Sequence, residues 1–309
     1  MSPDRAAVGE YNGHAGSGGA EHEGYWGMKN FVGLTGLMTL AGLGAAKADS
    51  FGHAEPGQMG FQEPVTEIAR YIHWFHNDIL LPLIVVISLF VLALLAYVVW
   101  KFNDKANPVP SKTTHNTLIE VVWTIAPVII LVFVAIPSFR LLTMQLTFPP
   151  ADLTVKVTAS QWHWNYGYPK DQGGFAFDSF MKEDSELKPE NGDIRLLSVD
   201  NEAVVPVNKV IKLEVTAVDV IHSFVVQSFG ARIDAVPGRL NETWFKADRE
   251  GIYYGQCSKI CGKDHAYMPI AFRVVSQEKY EAWLADSKKK FAAIDNPNLL
   301  ADGAASPRH

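Results

Sequence analysis

Leu153-Thr-Val-Lys-Val-Thr-Ala159 carries an apolar residue at every second position, and Lys209-Val-Ile-Lys-Leu-Glu-Val-Thr-Ala-Val218 repeats the pattern. Successive side chains on a strand point to opposite faces, so a period of two means one buried face and one wet face. Phe272-Arg-Val-Val275 reads the same way, with Gly, Pro and Asn-Gly turn signals between the runs. Short strands at this spacing across residues 150-276 predict an all-β sandwich or barrel. The Lys-, Glu- and Ala-rich segment 277-291 predicts a surface helix, and 292-309 reads as a disordered tail.

Upstream of Leu153 the alternation gives way to continuous hydrophobicity. Ile79 to Trp100 and Val121 to Phe139 hold no charged residue, and about 20 apolar residues suffice to cross a bilayer. Transmembrane helices are therefore expected at 79-102 and 118-142, joined by a loop at 103-117. Around that loop Lys101, Lys105 and Lys112 face the single acid Asp104, which puts it in the cytoplasm and the β-domain on the exported side. Pro82, Pro127 and Pro137 within the spans require neighbouring groups to satisfy the freed backbone. Further upstream, Met28-Lys29, the apolar run Phe31 to Leu43 and Ala46-Lys47-Ala48 have the layout of a secretory signal at 28-48, cleaved after Ala48. Residues 1-27 read as a non-native or disordered extension, and 49-78 as an N-terminal exported segment.

Composition agrees with a membrane-attached protein: 48% of the 309 residues are hydrophobic and 19% charged. The net charge of -6, with no basic cluster, argues against a nucleic-acid partner and suits a cationic one. Two cysteines are too few for a disulfide scaffold and enough for one metal site.

Both lie in Gly255-Gln-Cys257-Ser-Lys259-Ile-Cys261-Gly-Lys-Asp-His265-Ala-Tyr-Met268, which reads as a loop between strands. Two thiols, an imidazole and a thioether form a soft ligand set, which selects copper and is suited to electron transfer. Two thiolates exceed the need of one blue copper, so sulfur bridging would let the site hold two copper ions. A structural Cys2His2 zinc site leaves Met268 unused, and a Cys257–Cys261 disulfide leaves His265 and Met268 unused. The second histidine comes from a strand elsewhere, either His222 in Asp219-Val-Ile-His222-Ser-Phe-Val-Val or His163. Trp162, Trp164 and Tyr166 alternate onto one strand face, with Gln161, His163 and Asn165 on the other. The chain has no Cys-x-x-Cys-His haem-attachment motif.

These residues, with His115-Asn-Thr-Leu-Ile-Glu120-Val-Val-Trp123-Thr-Ile-Ala-Pro127, Gln161-Trp162-His-Trp164-Asn-Tyr166, Ile221-His222-Ser and Asp234-Ala-Val-Pro-Gly-Arg239-Leu-Asn241, give the chain a resemblance. From about Phe61 to Phe291 it resembles subunit II of haem-copper cytochrome c oxidases of the bacterial aa3 type. The resemblance implies a cupredoxin-like domain behind a two-helix transmembrane hairpin in a bacterial inner membrane, with the copper domain on the periplasmic side. It implies a binuclear CuA centre that takes electrons from cytochrome c and passes them to haem in subunit I. There oxygen is reduced to water, coupled to proton pumping; subunit III and membrane lipid are further implied partners. Carried over, His222 and Met268 hold one copper, His265 and the main-chain carbonyl of Lys259 the other, and Cys257 and Cys261 bridge. The family has Glu where this chain has Lys259; an ammonium has no lone pair, which puts the family's magnesium at the subunit I boundary in doubt. Trp162 and Trp164 are implied as electron-receiving residues, with Trp162 the exposed one. Asp171, Asp178, Glu183, Asp184, Glu186 and Asp219 are candidates for docking cytochrome c. Glu120 is an implied proton-uptake site, although Thr117-Leu-Ile-Glu120 also reads as a capping box. Two other classes compete: a membrane-tethered copper carrier would need neither the Trp162 face nor Glu120, and a quinol-oxidising relative would lack the copper ligands.

Overall fold

The computed structural model describes residues 52-291. The expected extension, signal sequence and tail lie outside the described residues.

The alternating segments form ten strands in two five-stranded sheets. They are β1 (Leu153–Ser160), β2 (His163–Tyr168), β3 (Phe175–Ser179), β4 (Ala203–Pro206) and β5 (Ile211–Ala217), followed by β6 (His222–Val226), β7 (Ala231–Ala235), β8 (Asn241–Phe245), β9 (Gly251–Cys257) and β10 (Pro269–Val275). One sheet runs β3-β2-β1-β5-β8 and the other β4-β10-β9-β6-β7. Only β1–β5 and β4–β10 pair in parallel. Leu153, Val155, Val157 and Ala159 of β1 and Leu213 and Val215 of β5 face inward with Trp164, Tyr166 and Tyr168 of β2. They share one core with Phe224, Val226, Ile270 and Phe272 of the second sheet. The period of two is thus the inner face of a sandwich.

Two long apolar helices precede it, α1 (Glu67–Lys101), with a π-helical turn at Phe75–Leu80, and α2 (Thr117–Leu146). The first helix begins well before residue 79. Its first turns carry Glu67, Arg70 and His73, so continuous hydropathy misses them, while Ile68 and Ala69 are buried. Thr66 caps it, accepting the Ala69 N–H at 3.0 Å and donating to the Phe229 carbonyl at 2.8 Å. Gly230 (φ +64°) permits the approach, since a Cβ there would lie 2.9 Å from the Ala69 nitrogen. The start of α2 also differs from the sequence reading. Its cap is Asn116, whose Oδ1 accepts the Ile119 N–H, and the Glu120 carboxylate reaches back to the Asn116 N–H at 3.3 Å. Asn is as good a cap as Thr and sits one residue earlier. Tyr71 of α1 donates to the Pro137 carbonyl of α2 at 3.3 Å, joining the hairpin at a proline.

The third helix, α3 (Gln277–Phe291), lies against the sandwich: Tyr280 is buried and Trp283 packs on Tyr168 and Phe175.

Candidate metal centre

Pairing brings the ligand-bearing residues to one end of the second sheet. Cys257 ends β9, His222 begins β6 and Met268 immediately precedes β10; because both neighbours run antiparallel to β9, these positions coincide. The loop from β9 to β10 supplies Cys261 and His265. Both thiols are free, with sulfurs 3.9 Å apart. His222 Nδ1 lies 3.9 Å from Cys257 Sγ, His265 Nδ1 lies 3.4 Å and Met268 Sδ 3.6 Å from Cys261 Sγ, and the Lys259 carbonyl lies 3.2 Å from Cys257 Sγ. Two sulfurs sharing an ion at about 2.3 Å with a tetrahedral angle stand about 3.8 Å apart, so the sulfur pair fits a shared metal. The thioether within the set favours copper over zinc.

The second histidine is His222 and not His163. His163 points to the other face of β2, where it pairs with Asp178 at 3.6 Å and stacks on Phe180. The His163 ring beside it, more than anything else, holds the Asp178 carboxyl below the usual range.

Supports behind the ligands escaped the sequence reading. His222 Nε2 is 2.9 Å from Asp219 Oδ1. A carboxylate only accepts, so Nε2 carries a proton and Nδ1 is the ring nitrogen turned toward the sulfurs. The other Asp219 oxygen accepts the Gln161 N–H at 2.6 Å, and the Gln161 side chain donates to the Cys261 carbonyl at 2.8 Å. Burial alone would raise the Asp219 carboxyl, but bonds from His222 and the Val220 and Gln161 backbone hold it below its usual range. The Asp219-x-x-His222 spacing was the available signal.

Trp164 is fully buried and donates from Nε1 to the Met268 carbonyl at 3.0 Å. It offers no surface to a partner, and its indole N–H holds the Met268 backbone. Trp162, half-buried, lies against Gly262 of the ligand loop.

Burial pushes the Cys257 thiol up, but His222, the Ser223 and Lys259 backbone and Cys261 together draw it well below a normal thiol. Burial and the Cys257 charge push Cys261 up. The two thiols are thus pushed in opposite directions, and a metal that takes both sulfurs must find both deprotonated.

Among the acids, Asp184 pairs with Arg195 at 3.1 Å, the Glu186 carboxylate accepts the Glu183 N–H, and Asp171 lies exposed on a short 3-10 turn. Asp178 and Asp219 are committed to histidines. Glu120 closes the cap of α2.

The family described as "Cytochrome C oxidase subunit II, periplasmic domain" matches residues 153–275, and that described as "Cytochrome C oxidase subunit II, transmembrane domain" matches residues 54–141. The chain belongs to the cytochrome c oxidase subunit II family. A probable cytochrome c oxidase subunit 2 of Rickettsia bellii is 48% identical over 275 residues, covering 89% of this chain and 99% of that protein. The subunit 2 of Cereibacter sphaeroides is 43% identical, covering 84% of this chain and 93% of its own. A crystal structure of the periplasmic domain of subunit II from Bradyrhizobium japonicum, 56% identical, covers 47% of this chain and 99% of that one with a TM-score of 0.43. Membership makes the chain a membrane-anchored subunit of an oxidoreductase complex, cytochrome c oxidase, and the His222, Cys257 and Cys261 cluster is compatible with a copper site in it.

Proposed function

We propose that this chain receives electrons from cytochrome c on the periplasmic face of a bacterial inner membrane and delivers them to haem in subunit I, where oxygen is reduced to water and protons are pumped. The observation that carries the reading is the pair of sulfurs 3.9 Å apart, each beside an imidazole, with a thioether and a carbonyl at the two flanks. His222 and Met268 would hold one copper and His265 and the Lys259 carbonyl the other, with Cys257 and Cys261 shared. A two-copper centre supplies one-electron transfer with its charge spread over both ions and both sulfurs. The chain's part is to keep that geometry rigid: Asp219 orients His222, Gln161 ties down Cys261, and Trp164 fixes Met268.

Trp162 is the proposed electron-receiving residue, and Asp171, Glu183, Asp184 and Glu186 are proposed to steer the donor over long range. Glu120, at the cytoplasmic start of α2, is a proposed proton-uptake site. Subunit III and lipid would cover the apolar faces of α1 and α2, where Phe90, Leu92, Ile129 and Phe133 are exposed. Lys259 keeps its carbonyl for copper but has no carboxylate for a second-sphere cation, so the complex is expected to lack magnesium at this boundary.

Metal analysis and spectroscopy of the purified complex test the reading. Two coppers per chain, a near-infrared band and a mixed-valence EPR signal are expected; zinc or a single blue copper would overturn it. Stoichiometric magnesium in the same preparation would refute the role given to Lys259.

A further inference from the structure

Lys259 is where the ligand loop leaves the sheet. The Ser258 N–H still donates to the Ser223 carbonyl at 3.0 Å, continuing the β9–β6 pairing by one residue. At the next residue the carbonyl turns to Cys257 Sγ, 3.2 Å away, and the side chain stands exposed. Among the described residues its ammonium has neither an ion pair nor a ring contact. Lys263, on the same loop, is paired with Asp264 at 3.5 Å. Ile260 follows Lys259 and is 84% exposed.

These two residues belong to an apolar end of the β-domain. Ile221 directly precedes His222, and Leu240 directly precedes β8, whose Asn241 donates to the Asp234 carbonyl beside the His222–Ala235 pair of β6 and β7. Tyr267 stands just before Met268. All three are exposed, so three connections carry uncovered apolar side chains at the end that holds the sulfurs. Single exposed apolar residues are ordinary, whereas a group of them rimmed by charge marks a protein contact.

The charge selects the partner. A cationic donor is repelled by an unpaired ammonium and suits Asp171, Glu183, Asp184 and Glu186 on other segments. The acceptor of the electrons has to approach the same two sulfurs, and Lys259 fits a carboxylate on it. A carboxylate at position 259, as in the family, needs a cation between itself and a second carboxylate; a lysine brings that cation on its own side chain.

We propose that Lys259 docks subunit I: its ammonium pairs with a carboxylate of subunit I, beside an apolar contact made by Ile260, where a metal would otherwise bridge the two chains. The pairing rests on the reading that the sulfur pair delivers electrons to haem in subunit I. Once covered by the partner the pair is shielded from water, and losing one member leaves the other charge buried and unpaired. It fixes how the loop bearing both cysteines meets the acceptor.

The test uses the intact oxidase complex in detergent and magnesium-free buffer, following release of this chain from subunit I as ionic strength is raised. Lys259→Gln keeps the carbonyl and removes the charge. It is expected to release the chain roughly tenfold faster or more, the scale of a charge pair truncated at a covered contact, with Lys259→Arg holding the native rate. Lys259→Glu sets two carboxylates face to face and is expected to assemble only when magnesium ions are added. The two-copper EPR signal should match the native one in all three variants, because the backbone carbonyl is retained. A native release rate in Lys259→Gln, or a Lys259→Glu complex that assembles without added magnesium or is not restored by it, overturns the proposal while leaving the copper centre in place. If the native complex has no two-copper signal, the reading of the centre fails and the proposal falls with it.

Discussion

His222 is held from behind before it can bind anything in front. Its Nε2 meets Asp219 at 2.9 Å, and Nδ1 faces Cys257. The sequence offered Asp219 as a surface acid; it does lie at the surface, and its hydrogen bond to His222 adds an orienting role. Asp219→Asn preserves the shape and removes the charge that fixes the imidazole tautomer. Copper affinity is expected to fall about 10- to 100-fold, as for other partners of metal-bound histidine, with the far-ultraviolet circular dichroism unchanged. Competition with a chelator measures it; native affinity in the variant would mean that the hydrogen bond is incidental. The same logic distinguishes the two tryptophans. Trp164 and Trp162 are two positions apart on the strand pattern, yet Trp164 is sealed under Met268 and Trp162 lies beneath Lys263.

At the scale of elements, the centre exists because β6, β9 and β10 are in register. Gly255 pairs with Val226 and with Ile270, two positions before Cys257. A Cβ at Gly255 would lie 2.0 Å from the Val225 carbonyl oxygen and 2.9 Å from Val226 Cγ2. Gly255→Ala must therefore push β6 away from β9 and carry His222 away from Cys257. A loss of roughly 1–3 kcal/mol or more is expected, the usual range for an overpacked core. Denaturant unfolding and copper content should fall together; a variant with native stability and native copper would contradict the register argument. The helices are bound to the strands just as specifically. Thr66 bridges Ala69 and the Phe229 carbonyl, the Val65 N–H donates to the Ser228 carbonyl, and Arg70 pairs with Asp248 at 2.7 Å.

Across the whole molecule these ties hold the sulfur cluster at a fixed place relative to the first turns of α1, which suits delivery of electrons to a partner in the same membrane. The metal should also stabilise the chain that holds it. Ligands that bind only the folded state add about 4 kcal/mol at a thousandfold excess over the dissociation constant. Copper loading is expected to raise the unfolding midpoint of the β-domain, and removal by chelation to lower it again. Cys257→Ser should abolish that increment with little change in the metal-free midpoint. A variant still stabilised by copper would place the metal elsewhere.

The sequence by itself determined what repeats or clusters locally: the strand period of β1 and β5, the two uncharged spans, and four soft ligands within one loop. Burial imprints a period on the chain, a bilayer imprints a length, and a loop site imprints a spacing. The tertiary structure alone decided what depends on partners far apart in the chain. It chose His222 over His163, because β6 pairs with β9 whereas His163 faces Asp178. It gave Asp219 and Trp164 partners behind the sulfur cluster and began α1 at Glu67, because polarity conceals a helix whose cap and apolar contacts lie on the β-domain. Hydrogen bonds between residues a hundred positions apart leave no period to read, and that is why the loop cluster was legible and the residues packed behind it were not.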